Sequence, residues 1–277
     1  MKNIDTKVVD KHYGSGGIMD KIEAGLRQAG KDFNLLTVDD LAPVDGFHTR
    51  GRLSTIEVAE LADIKTTDLI LDVGCGLGGT PRYLASQYQC NVTGIDLTEE
   101  YITAGKQLSK LVNMHDKVTL HHASALELPF DNNSFDIVWT EHVQMNIADK
   151  TKFYSEIVRV LKPSGRLLFH DVFRGYGDDP IYPVPWAENK SISALVKEKD
   201  ARLMMEAAGF DVEQWHTKTH ESIEFFKQVA VKIKTDGPPP LGIHILMGDN
   251  AKEKLKNQAQ NLNEGRVSIA LGMARKV

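Results

Sequence analysis

The stretch that decides the fold reads Leu69-Ile70-Leu71-Asp72-Val73-Gly74-Cys75-Gly76-Leu77-Gly78-Gly79. Its apolar run up to Asp72 is typical of a strand buried in a parallel sheet. The glycines that follow permit a sharp turn and let a ligand approach the backbone where a Cβ would clash. A helical pattern begins at Thr80, with Pro81 suited to the first turn. Strand, glycine-rich turn and helix form the first half of a nucleotide-binding βαβ unit.

A second strand, over residues 90–96, ends in Asp96 about twenty residues past the glycines. In dinucleotide-binding folds an acid at this distance accepts hydrogen bonds from ribose hydroxyls. The turn reads G-x-G-x-G, however, not G-x-G-x-x-G, and Asp72 comes directly before it. An acid there would repel a pyrophosphate but suits the cationic amino-acid end of S-adenosylmethionine (SAM). The sequence therefore favours a methyl donor over NAD.

Strand and helix patterns alternate along the rest of the chain, which predicts an α/β doubly wound, mostly parallel sheet of seven strands. The further strands are predicted at 118–122, 135–140, 166–171, 210–216 and 267–274. We expect a helical N-terminal cap over 1–60, a core over 61–218 and 265–277, and a lid inserted at 219–264. Gly209 is predicted to end a helix over 199–208.

Composition limits the function classes. The 277 residues carry a net charge of -5, which argues against a nucleic-acid partner. Two cysteines are too few for a disulfide scaffold, so we expect a reducing, cytoplasmic location. The sequence contains no apolar run long enough to span a membrane, and we expect no membrane insertion. A small-molecule substrate and a monomer or homodimer are the expected partners.

Some candidate residues follow from local chemistry. Tyr13 is expected either to cover the cofactor with its ring or to pack under a loop. Arg50 and Arg52 are each suited to clamp a carboxylate, although an exposed Arg more often only faces solvent. Ser124 and Ala125 follow the third predicted strand, where small residues suit a flat adenine ring.

Several ordered motifs resemble class I SAM-dependent methyltransferases. They are L-D-V-G-C-G-L-G-G, G-I-D, A-S-A-L-E-L-P-F, F-D-I-V-W-T-E-H-V and V-L-K-P-S-G-R, between residues 66 and 172. The finer resemblance, to sarcosine/dimethylglycine N-methyltransferases, rests on V-W-T-E-H-V-Q-M-N-I-A-D-K at 138–150 and Y-P-V-P-W-A at 182–187. Ser124 departs from the family, which commonly carries an acid there for the adenine amine.

The resemblance implies a SAM site and a substrate site. For the cofactor it indicates Tyr13, Asp72, Gly74, Cys75, Gly76, Asp96, Leu97, Ser124, Ala125, Leu126 and His142. His142 is expected at the methyl end, as the catalytic candidate or only as a residue that positions the cofactor. The candidate substrate residues are Arg50, Arg52, Gln144, Asn146 and Trp186. Trp186 is expected either to pack against the substrate amine or to be a core residue. His170 is interpreted as a structural strand residue, and no metal site is predicted.

The expected reaction is methylation of a small amino acid amine, sarcosine or dimethylglycine, toward glycine betaine. An amine must shed its proton before it attacks, so a neutral His nearby would help. The substrate carboxylate would need an Arg, and a quaternary product would gain from an aromatic face. The alternative is a C- or O-methyltransferase acting on a quinone, phenol or sterol-like acceptor. A SAM-binding protein without catalysis is disfavoured because the set of motifs is complete.

Overall fold

A single seven-stranded sheet organises the computed structural model, which describes residues 4–14 and 16–277. The strands are β1 (Leu69–Val73), β2 (Asn91–Asp96), β3 (Val118–His122), β4 (Phe135–Glu141), β5 (Leu161–Arg174), β6 (Phe210–Thr217) and β7 (Val267–Lys276). Their order is β3-β2-β1-β4-β5-β7-β6, with β1 to β5 parallel to one another and β7 antiparallel to β5 and β6. The fold class predicted from the sequence is confirmed.

Helices cover both faces of this sheet because alternate strand residues are apolar on opposite faces. The helices are α1 (Thr6–Tyr13), α2 (Ile18–Gln28), α3 (Val38–Asp45), α4 (Arg52–Glu60), α5 (Gly79–Tyr88), α6 (Glu99–Leu111), α7 (Lys150–Val160), α8 (Glu198–Ala208), α9 (Thr219–Asp236), α10 (His244–Met247) and α11 (Ala251–Asn263). Ile70 and Trp139 pack with α4, α5 and α6, whereas Leu71 and Val138 pack with α7 and α8. Each face thus has its own apolar core.

The predicted boundaries differ from the observed ones mainly at β5 and β7. Both strands extend beyond the predicted ends because they pair antiparallel from Arg166 opposite Arg275 to Arg174 opposite Val267. The antiparallel pairing supplies backbone hydrogen bonds to residues 172–174 of β5 and to Arg275 of β7, which lie beyond the predicted strand ends. Gly209 ends α8 with φ 105°, the left-handed conformation predicted for it.

Segments before β1 and after β6 pack together over one end of the sheet. Ile22 and Leu26 of α2 share an apolar cluster with Leu241 and with Leu246 of α10. Gly25 allows this contact, since a Cβ there would lie 2.6 Å from the carbonyl oxygen of Pro240. The division into cap, core and lid stays a prediction, and its residues 1–3 and 15 lie outside those described.

None of the helices in residues 4–14 and 16–277 combines the length and apolar character needed to cross a membrane.

Candidate active site

A cavity of about 200 Å³ opens at the carboxyl ends of β1, β2 and β4. Ligands of open α/β sheets bind at this edge, outside the ends of the parallel strands. Of the sequence-predicted site residues, those that line the cavity are Tyr13, Asp72, Gly74, Cys75, Gly76, Asp96, Leu97, Ser124, Ala125, Leu126, His142, Asn146 and Trp186. The structure therefore brings all the predicted cofactor residues to one cavity.

The glycine turn between β1 and α5 forms the floor of this cavity. Gly74 has φ 82°, and a Cβ on it would lie 2.3 Å from Cγ2 of Val143. Gly76 donates its backbone N–H to Oδ2 of Asp96 over 2.9 Å, and the Thr98 N–H reaches Oδ1 of the same carboxylate over 2.8 Å. Asp96 thus fixes the turn, and each of its oxygens keeps a lone pair for a ribose hydroxyl.

Asp72 has the environment expected of a partner for a cationic ligand. Its carboxylate is only 2 % exposed, and no donor in the described part of the chain hydrogen-bonds it. Burial, followed by the charges of Glu141 and Asp96, raises its pKa well above the ordinary value. An unpaired buried carboxylate is costly, and the ammonium group of SAM would supply the missing positive charge. The site therefore fits SAM at the position that the sequence indicated.

Tyr13 joins the N-terminal helix to the cavity wall. Its hydroxyl donates to Oδ1 of Asn146 over 2.8 Å, and its ring meets those of Phe47 and Tyr101 edge-on. The amide of Asn146 in turn donates to the carbonyl oxygen of Trp186 over 2.9 Å. Asn146 therefore has a positioning role in the structure, because its hydrogen bonds go to protein groups on two sides.

His142 stands directly after β4 with φ 53°, a strained conformation for a residue with a side chain. Its Nε2 atom is buried and has no hydrogen-bond partner among the described residues. Burial, together with the neighbouring His170 and His48, keeps the pKa of His142 well below its usual value. This environment favours the neutral imidazole, the form that a general base requires.

Three further groups surround His142. The imidazole rings of His170 and His48 lie 4.8 Å and 6.0 Å from the ring of His142, measured between centroids. Glu141 accepts a 2.7 Å hydrogen bond from the Thr80 hydroxyl. Burial would raise the pKa of Glu141, but His48, His170 and Thr80 outweigh it and lower the pKa to about 2.

The structure places both arginines of the predicted carboxylate clamp outside the cavity. Arg50 does not line the cavity; its two guanidinium nitrogens bind the Glu57 carboxylate at 2.9 Å and 2.5 Å. Arg52 is likewise outside, bonded to Asp39 over 2.9 Å. Both arginines already have acidic partners within the N-terminal segment, so neither guanidinium faces a ligand.

Gln144 also lies outside the cavity, although its neighbours in sequence line it. It is 4 % exposed, and its side-chain oxygen accepts from the Tyr154 hydroxyl over 3.1 Å. Its backbone N–H donates to Asp171. Gln144 therefore supports the turn after β4 and contacts no ligand site.

The sequence reading missed several cavity residues, namely Asp45, Phe47, His48, Thr80 and Glu141. Glu141 had a detectable signal, because it ends β4 beside His142 at the ligand-binding edge. Asp45 and His48 had none, because they reach the cavity only through the packing of α3 and its following loop. Asp45 is held there by a 2.5 Å ion pair with the fully buried Arg82.

Comparison with known proteins agrees with this geometry. Residues 71–169 match the family model described as a methyltransferase domain. Glycine/sarcosine/dimethylglycine N-methyltransferase of Actinopolyspora halophila is 32% identical over 129 residues, which are 47% of this chain and 23% of that protein. Chloroplastic tocopherol O-methyltransferase of Arabidopsis thaliana is 33% identical over 131 residues, covering 45% of this chain and 38% of that protein.

A solved structure extends the likeness of fold. Phosphoethanolamine N-methyltransferase 2 of Haemonchus contortus, in complex with S-adenosyl-L-methionine, superimposes with a TM-score of 0.71 at 20% identity. The match covers 95% of this chain and 60% of that one. This chain thus aligns with well under half of the length of the two curated relatives above.

The match to a methyltransferase domain covers residues 71–169, the part of the chain that carries the glycine turn and Asp96. The geometry of this part fits SAM as the cofactor.

Proposed function

We propose that this chain transfers the methyl group of SAM to an oxygen or carbon atom of an uncharged, largely apolar small molecule. The observation that carries this proposal is the lining of the cavity. In the described ranges no Lys or Arg lines it, whereas Val9, Phe47, Met145, Trp186 and Leu246 give it an apolar wall. An acceptor with a carboxylate or phosphate would lose its hydration there without gaining a cation.

SAM, when bound, supplies a methyl group already activated by the sulfonium. The residues of this chain then have two tasks: to align the acceptor and to keep water out. Phe47 and Trp186 exclude water on the acceptor side. A hydroxyl acceptor would pass its proton to the imidazole of His142, which lines the cavity and whose lowered pKa favours the neutral form.

The similarity to tocopherol O-methyltransferase supports an oxygen acceptor, because the name of that relative specifies one. The match covers 45% of this chain and 38% of that protein, so this support concerns the class of reaction and not the particular acceptor.

The second candidate is N-methylation of sarcosine or dimethylglycine. It is favoured by the similarity to glycine/sarcosine/dimethylglycine N-methyltransferase and by Trp186, whose aromatic ring lines the cavity and suits a quaternary product. Against it stands the engagement of Arg50 and Arg52 with Glu57 and Asp39.

A methyl-transfer assay separates the two candidates. Purified protein and SAM would be incubated with simple phenols and hydroquinones in one series and with sarcosine and dimethylglycine in the other, with formation of S-adenosylhomocysteine and of methylated product as readouts. We expect turnover in the first series. Turnover of only the amino acids, with a rate that climbs into the alkaline range as the amine loses its proton, would overturn the proposal and establish the second candidate.

A further inference from the structure

His48, Glu141 and His170 meet beside the cavity although they come from three separate parts of the chain. His48 follows α3, Glu141 ends β4 and His170 lies within the neighbouring strand β5, where the two residues are in register. His48 and Glu141 line the cavity, whereas His170 lies fully buried behind them.

The spacing of their ligating atoms suits a metal ion. His48 Nε2 lies 3.5 Å from one Glu141 oxygen, and His170 Nδ1 lies 3.7 Å from the other. One nitrogen or oxygen of each residue lies within 4.8 Å of the others. Two ligands bound at ordinary metal distances are about 3.0–3.4 Å apart, so small side-chain rotations close the set.

Hydrogen-bonding groups hold the His48 ring beside Glu141. Nδ1 of His48 lies 3.1 Å from the Ser54 hydroxyl, which is also within reach of the carbonyl oxygens of Thr49 and Gly51. Nε2 faces the Glu141 carboxylate, and the Thr55 hydroxyl lies 3.4 Å from this nitrogen. The ring is therefore oriented with one nitrogen toward the carboxylate, as a metal ligand would be.

His170 supplies the second independent sign. Its side chain is fully buried, and neither of its ring nitrogens has a hydrogen-bond partner in the described part of the chain. Buried polar atoms normally have partners, and those that lack one call for an unseen ion or water.

We propose that His48, Glu141 and His170 bind one divalent transition-metal ion, such as Zn²⁺ or Fe²⁺, at the edge of the cavity. Two imidazoles and one carboxylate are a set that these metals favour, and Ser54 orients His48 as outer hydrogen-bond partners of metal ligands do. The three ligands carry no common spacing motif, which explains why no metal site is predicted from the sequence. The remaining coordination positions face the cavity, where they would polarise an acceptor oxygen; this role rests on the proposed function, whereas metal binding does not.

The test is therefore made without any acceptor. Tag-free protein is stripped with chelator, dialysed and titrated with Zn²⁺ by calorimetry, with Mg²⁺ as the comparison metal. Co²⁺ serves as a spectroscopic probe, since its visible absorption reports nitrogen and oxygen ligation. We expect one tight Zn²⁺ site per chain, little heat with Mg²⁺, and a melting temperature that rises with Zn²⁺.

Variants locate the ion. Glu141→Gln keeps the shape and removes the charge, and we expect it to abolish the Co²⁺ spectrum. Ser54→Ala leaves every ligand in place, and we expect roughly 10- to 100-fold weaker Zn²⁺ affinity. His115→Gln alters an exposed histidine away from the cavity and controls for adventitious binding; its affinity should equal that of the unaltered chain.

A folded, unaltered protein that takes up no Zn²⁺ or Co²⁺ would overturn the proposal. Equal Zn²⁺ affinity in Glu141→Gln would also overturn it. Metal binding without turnover of phenols would leave the site established and contradict only the proposed function.

Discussion

At the scale of single residues, Asp96 holds the glycine turn and is also predicted to bind the ribose of SAM. Its oxygens hold the backbone N–H groups of Gly76 and Thr98 and keep lone pairs for ribose hydroxyls. We expect Asp96→Ala to weaken SAM binding by roughly 1–3 kcal/mol, measured by calorimetry. Asp116→Ala, an exposed acid elsewhere, should leave the affinity unchanged. An unchanged affinity in Asp96→Ala would remove this residue from the cofactor site.

Asp96 and Arg50 show which features of the site can be predicted from the sequence and which cannot. The role of Asp96 is predictable because a strand end at a fixed distance from a glycine turn brings a side chain to a definite place. The partner of Arg50 is not predictable in this way, because it depends on how α4 and its preceding loop pack. Glu57 lies seven residues further on and takes both guanidinium nitrogens, an arrangement that no pattern in the sequence indicates.

At the scale of secondary-structure elements, the turn from β1 into α5 is tightly confined. We expect Gly74→Ala to lower the free energy of unfolding by roughly 1–3 kcal/mol, because the new Cβ meets Val143 as well as adopting a left-handed φ. Gly30→Ala is the matched control, since Gly30 has φ 70° but nothing within 4 Å of its Cβ position. Urea unfolding measures both. Equal losses in the two variants would show that backbone conformation alone matters at Gly74.

The elements themselves are largely predictable, and the exceptions have physical causes. β1 to β4 are short apolar runs that end at turns, so their pattern shows both their nature and their limits. β5 and β7 exceed their patterns because each supplies the hydrogen bonds of the other. Thr98 is the N-cap residue of α6, yet its side chain makes no capping bond; its backbone N–H instead donates to Asp96.

At the scale of the whole molecule, the N-terminal helix is the part of the cavity wall held most weakly. Val9 is the single buried residue among those described in α1, although Ile4, Thr6, Val9 and Tyr13 all line the cavity. Two of the long helices, α1 and α9, bury a single residue each, and of these two only α1 lines the cavity. A ligand that fills the cavity therefore adds contacts to α1 and not to α9. We therefore expect SAM to slow amide hydrogen exchange in residues 6–13.

The control for this experiment lies in the same molecule. Helix α9 also has a single buried residue, Ser222, but no residue of it lines the cavity. Its exchange should be the same with and without SAM. Equal slowing in both helices would indicate a general stabilisation of the fold, and no change in residues 6–13 would show that the first helix does not close over the cofactor.

The position of β7 has a consequence for how the chain is made. Among the described residues, β6 pairs with β7 alone, and β7 separates it from β5. On the ribosome, β5 and β6 are synthesised before residues 267–276, with α9 to α11 in between. Until β7 emerges, β5 and β6 each lack the partner that it supplies, and unpaired strand edges invite pairing with other chains. We therefore expect the nascent chain to be most prone to aggregation in the interval between the synthesis of β6 and that of β7.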